Sequence, residues 1–248
     1  MPRIIWDEGT AYDLFVSLYV LHRPATFGLR PSWAAGVRSR LPAAQRDFLE
    51  KIQAFLPVPM SWLYLLPAEA KNSAGALNVL AQLPAAERLS SLLITADTSV
   101  EAINVLHSVA LRQSWSSAEQ EVLRAALIHR GIQIGSGTIN DLCEAWSDLS
   151  ASGEKFLQAL STYYQVFFQE EETRLQARLH SAREQAEDLA RELPITELLE
   201  ELSGGVIFEE VQSVKELVLV PSYWASPLVF YHRICPETLL IAFSRRAA

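Results

Sequence analysis

The chain has 248 residues, half of them apolar and a fifth charged, with a formal net charge of −8. Acidic side chains outnumber basic ones 29 to 21, which argues against a basic face that grips nucleic acid by neutralising phosphates. A chain of this length buries roughly 70–75% of the surface its unfolded form exposes, so it can build a core without disulfide or metal staples.

Its two cysteines, Cys143 and Cys235, lie far apart and read as free thiols of a reducing compartment. The opening MPRIIWDEG lacks the charged-then-apolar pattern of a secretory signal. No apolar run reaches the length of about 18 residues that a membrane-spanning helix needs. The expected location is the cytoplasm, with no membrane partner.

Arg3-Ile4-Ile5-Trp6 reads as a short strand. Residues 10–22 carry Tyr12, Phe15, Val16, Tyr19 and Val20 at helical spacing, and Pro24 stops that helix. From Ser32 to about residue 150 the pattern is a series of short helices punctuated by prolines and polar caps. Ser32 is a candidate cap, and Pro42 opens the helix of Phe48, Ile52 and Phe55. Further helices are expected near 74–83, 85–93, 98–112, 117–129 and 137–149, with Asp97 or Thr98 capping the third. Ser116 with Glu119 has the spacing of a capping box. Leu-Pro recurs at 41–42, 56–57, 66–67 and 83–84, but the intervals are irregular and define no repeat.

From 154 to 193 there is no proline or glycine, and Phe156, Leu160, Tyr163, Phe167, Leu175, Leu179, Ala186 and Leu189 keep a three-four rhythm. The spacing predicts one helix of about 40 residues, about 60 Å long. Two readings of the stripe stand: a backbone helix that organises the domain, or a seam for a homodimer. Beyond Gly204-Gly205, the runs 206–208, 214–220, 228–234 and 238–243 are β-rich and suggest an antiparallel meander. A sheet this small needs a helical layer over one face. The fold class is therefore α+β within one domain, 1–248: a mostly α-helical body (1–150), a long helix (154–193) and a small antiparallel C-terminal sheet (204–244). The N-terminal strand is a candidate to join that sheet.

The motifs for chemistry are missing. The five histidines, His22, His107, His129, His180 and His232, are not spaced as ligands, and neither cysteine has a C-x-x-C partner. No phosphate-cradling or nucleophile-elbow pattern occurs, and GIQIGSG (131–137) reads as a loop between helices. No catalytic residue, metal ligand or cofactor is assigned, and the expectation is a protein that is not an enzyme. Two segments do concentrate aromatic and polar side chains: YVLHRPATFGLRPSWAAGVRSRL (19–41) and LVPSYWASPLVFYHR (219–233). Trp33, Tyr223, Trp224, Tyr231 and His232 are the candidates to line a small-molecule cavity. The same residue types along strands are also ordinary core.

The opening WDEGTAYDLFVSLYVLHRPATFGLRPSWAAGVRSRLP resembles the N-terminal region of certain long bacterial ArsR-type (arsenic-repressor-like) transcription regulators. The later LVPSYWASPLVFY is similar to the stretch that precedes their winged helix, and the resemblance runs over nearly the whole chain. It implies an effector-sensing or dimerisation region of a regulator. DNA would be reached only through a winged helix-turn-helix domain, whose pattern this sequence lacks, as it lacks the cysteine metal-sensing motif. The alternative is a stand-alone interaction module that dimerises through the long helix.

Overall fold

A computed structural model describes residues 2–244. The chain opens with strand β1 (Arg3–Trp6), helix α1 (Thr10–Leu21), a 3-10 turn at Pro24–Phe27, and α2 (Pro31–Arg38). Next come α3 (Ala43–Gln53), α4 (Met60–Tyr64), α5 (Ser73–Gln82), α6 (Ala85–Leu93), α7 (Val100–Arg112), α8 (Ser117–His129) and α9 (Thr138–Ser147). Helix α10 (Leu149–Tyr163), a π turn at Tyr164–Phe168, α11 (Gln169–Glu192) and α12 (Ile195–Ser203) lead to β2 (Glu216–Pro221), β3 (Phe230–Cys235) and β4 (Thr238–Phe243). The α+β class expected from the pattern is the one observed. Among the described residues no helix is long and apolar enough to cross a membrane.

Local chemistry sets most helix boundaries. The Ser116 hydroxyl accepts from the Glu119 backbone N–H at 3.3 Å, while Glu119 accepts from the Ser116 N–H at 2.8 Å, completing the expected capping box of α8. The cap of α7 is Ser99, whose hydroxyl accepts from Ala102 N–H at 3.2 Å, rather than Asp97 or Thr98. Thr98 is spent on the preceding turn, where its hydroxyl accepts from Thr95 N–H at 3.0 Å. Helix α2 begins at Pro31, so Ser32 sits inside its first turn and is not the cap.

The described residues form two compact units, one built from 2–36, 60–76 and 167–244, the other from 37–59 and 77–166. The expected helix over 154–193 is a helical run over 149–192 in which the π turn separates α10 from α11. Both halves of its apolar stripe are already covered. Phe156, Leu160 and Tyr163 are buried in the second unit, and Leu175, Leu179 and Ala186 in the first, where α11 packs on α1, β2 and α12. Each half of the stripe thus packs within its own unit.

The sheet of the first unit has strand order β1-β2-β4-β3. β1 pairs with β2 and β2 with β4 in parallel, and only β3 and β4 are antiparallel. The N-terminal strand does join, with Arg3 opposite Glu216 and ion-paired to it at 2.5 Å. The expected meander is thus realised only in its last hairpin. Residues 206–208 form no strand, and β4 inserts between β2 and β3. The reason is legible in the strands: LVLV and LLIA are continuous apolar runs, the pattern of strands covered on both faces and typical of parallel pairing. Leu217, Leu219, Leu239, Ile241 and Phe243 pack with Ala186 of α11 and with Leu198, Leu199 and Leu202 of α12. Val218, Val220, Leu240 and Ala242 are buried on the opposite face, where Phe230, paired with Ala242, meets Tyr19 of α1 edge-on at 5.4 Å.

Candidate functional site

The site begins with a carboxylate in a helix that has almost no exposed face. Helix α1 is buried nearly throughout, and Asp13 within it is 0% exposed. An uncompensated buried charge is expensive, so Asp13 must be paired or hydrogen-bonded. It accepts from the Ser222 hydroxyl at 2.7 Å, from Trp224 N–H at 3.0 Å and from Tyr223 N–H at 3.1 Å. Burial pushes its carboxyl up to about 6, while these three hydrogen bonds hold it down. Ser222 N–H in turn donates to the Phe243 carbonyl at 2.7 Å. The loop leaving β2 is therefore fastened to α1 on one side and to β4 on the other.

That fastening presents Tyr223 and Trp224 to a cleft of about 700 Å³ in the first unit, lined also by Phe27, Trp33, Arg178 and Gln185. Trp33 and Trp224 are stacked, with centroids 5.4 Å apart and planes 25° from parallel. Phe167 closes the triangle edge-on, 6.0 Å from Trp33 and 5.9 Å from Trp224. Tyr223 meets Trp224 edge-on at 5.7 Å, and the Arg178 guanidinium lies 5.5 Å from the Tyr223 ring centroid. The Trp224 indole N–H is buried without an acceptor among the described residues, and such a donor costs about 1–3 kcal/mol until something accepts from it.

Of the five residues expected to line a cavity, the structure brings Trp33, Tyr223 and Trp224 together. Tyr231 and His232 do not line this cleft. They are consecutive in β3 and so point to opposite faces of the sheet. Tyr231, opposite Ile241, is 55% exposed and packs edge-on against Phe208 at 5.7 Å. His232, opposite Leu240, lies on the other face and is half-buried. Arg178, Gln185 and Phe27 line the cleft without having been singled out, and Asp13 holds it from behind. The one sequence signal for Arg178 is negative: residues 174, 175, 181 and 182, its helical neighbours, include no carboxylate.

A second polar cluster in the same unit serves the fold. Lys71 forms an ion pair with Asp7 and donates to the Tyr64 carbonyl at 3.0 Å, and the Tyr12 hydroxyl donates to Asp7 at 2.6 Å. Burial, reinforced by the Asp7 charge, holds the Tyr12 hydroxyl far above its ordinary value. These bonds pin the end of β1 to α1 and to the turn at Ala68–Ala70. Gly9 lies at that crossing, where a Cβ would fall 2.3 Å from the Lys71 carbonyl oxygen. Among the described residues no group of three or more His, Cys, Asp or Glu is placed to hold a metal ion.

The second unit has its own apolar cavity of about 460 Å³ among α7, α8 and α9, lined by Leu106, Leu123, Leu127 and Arg130, with Asp97, Glu101 and Glu121 also on its wall. Arg130 donates to the Leu93 carbonyl at 2.7 Å, and burial lowers its guanidinium below the ordinary value. The chain matches no protein-family model, no curated protein and no solved structure.

Proposed function

We propose that the chain is the effector-sensing part of a bacterial transcription regulator of the ArsR-like kind its sequence resembles, working in the cytoplasm and reaching DNA only through a winged-helix domain. The effector is a small molecule held in the aromatic cleft of the first unit. One observation carries this reading: a fully buried carboxylate, Asp13, is committed to three donors of the loop that presents Tyr223 and Trp224. A loop held this firmly gives a pre-formed wall, and pre-formed, largely aromatic clefts of several hundred Å³ with a few polar groups are the usual form of small-molecule sites.

The route for a response lies on α11. Arg178, Leu179, Ala182 and Gln185 line the cleft, while Ala186 and Leu189, the next turn along, pack into the core shared with α12 and the sheet. A ligand that prefers one position of α11 shifts that packing by its difference in affinity between the two positions.

The test is native mass spectrometry of the purified protein alongside Trp224→Ala. The expected result is a small molecule at fixed stoichiometry that Trp224→Ala loses while the far-ultraviolet circular dichroism stays unchanged. Absence of any bound molecule, together with tryptophan fluorescence that responds to none of a panel of aromatic acids, amides and amines, overturns the reading.

A further inference from the structure

We infer that the aromatic cleft is built for a flat aromatic carboxylate, its ring against Trp33, Trp224 and Tyr223 and its carboxylate on Arg178; this rests on the cleft being a small-molecule site at all. The argument comes from the charges along α11. Arg174 pairs with Glu170 and Glu171, His180 is in reach of Glu8 and Glu184, Arg183 pairs with Glu187 and Glu8, and Arg191 with Asp188. Arg178 stands between these pairs and makes no ion pair among the described residues.

The surroundings of Arg178 agree. It is the one charged residue lining the cleft among the described residues; every other lining side chain is aromatic, aliphatic, hydroxyl, amide or glycine. Arg178, Ser181, Ala182 and Gln185 are spaced i, i+3, i+4 and i+7, so they form a single face of α11. Ala182 keeps that face low, and Gln185 donates to the Ser181 hydroxyl at 3.2 Å, a neutral pair beside the cation. The nearest buried carboxylate, Asp13, opposes an anion little, because both its oxygens are turned to Ser222, Tyr223 and Trp224 donors. A guanidinium presents a planar fork that a carboxylate matches with two hydrogen bonds, and its plane also tolerates an adjacent ring.

The probes are 1-naphthoate and its neutral isostere 1-naphthamide, titrated calorimetrically into the full chain, Arg178→Gln, Arg178→Lys and Trp224→Ala. The acid is expected to bind at least about tenfold more tightly than the amide, the gain of one charge-assisted pair. Arg178→Gln should bring that ratio to near one without weakening the amide, and Arg178→Lys should keep part of it. Added salt should weaken the acid and leave the amide alone. Equal binding of acid and amide, or an acid preference that survives Arg178→Gln, overturns the carboxylate assignment while leaving the small-molecule site standing. Failure of both probes to bind, or binding that Trp224→Ala does not reduce, removes the site and the assignment together. Arg178 is exposed, so its variants should fold normally.

Discussion

The buried carboxylate of Asp13 accepts a hydrogen bond from the Ser222 hydroxyl at 2.7 Å, joining residues 209 apart in sequence. Through Asp13, α1 reaches three successive donors of the loop after β2, and so fixes where Tyr223 and Trp224 stand.

Replacing Asp13 with Ala should therefore cost both stability and the cleft. It leaves two backbone N–H groups and one hydroxyl buried without their acceptor, each worth about 1–3 kcal/mol when unmade. A total loss on the order of 3 kcal/mol is expected, because the loop can relax toward solvent. Urea unfolding of Asp13→Ala against the parent checks it, and Trp224 fluorescence should shift to the red in the variant's folded baseline.

The same residue predicts a pH dependence. Its folded pKa of about 6 lies above the ordinary 3.8, because desolvation outweighs the three hydrogen bonds. The folded chain thus holds this proton more tightly than the unfolded chain does. The corresponding stability is fully present below pH 3.8 and is lost as pH rises through 6. A shift of this size corresponds to ~3 kcal/mol. Asp13→Asn cannot titrate, so the stability of the parent minus that of Asp13→Asn should fall between pH 4 and 6 and be flat above. Urea unfolding at several pH values reads it; a difference that rises with pH over that window would contradict the assignment.

How far the sequence carried this fold depends on the range of the interaction. Helix α8 is legible because Ser116 and Glu119 cap it within four residues, and α3 and α6 because Pro42 and Pro84 stand just before them. The sheet is less legible. Apolar runs mark β2 and β4, yet their parallel pairing depends on what covers both faces, which no local pattern states. The π turn at Tyr164–Phe168 leaves the three-four rhythm of its neighbours intact and so gives no signal. In the cleft, Trp33, Tyr223 and Trp224 were visible as aromatic clusters. Tyr231 and His232 stand apart from that cleft because adjacent strand residues point to opposite faces of the sheet. Asp13 was hidden because an acid one turn into a helix is commonplace, and only its distance from solvent and its partners 209 to 211 residues away make it exceptional.

The two thiols should separate under alkylation. Cys143 in α9 is buried, and burial pushes its thiol up to about 11. Cys235 at the end of the edge strand β3 is half-buried, and hydrogen bonds from the Thr238 side chain and the Glu237 backbone hold its thiol below the ordinary value. Since the thiolate is the nucleophile, iodoacetamide should modify Cys235 first. Peptide mapping of the native protein should find one label per chain, and denaturant should expose the second.

In the second unit, Gly153 should be the least replaceable small residue. Helix α10 crosses α6 so closely that a Cβ on Gly153 would fall 1.9 Å from the Ala85 carbonyl oxygen and 2.9 Å from its carbon. Alanine in a helix interior normally gains about 1 kcal/mol over glycine. That gain cannot offset a methyl group driven into backbone, which forces the two helices apart and takes Phe156 and Leu160 out of their contacts; overpacking of this kind costs about 1–3 kcal/mol. Gly36 in α2 is the control, because a Cβ there meets nothing within 4 Å. Thermal melts should show Gly153→Ala losing stability and Gly36→Ala unchanged or slightly gaining. Equal melting temperatures for the two variants would mean that α6 and α10 do not approach each other at Gly153.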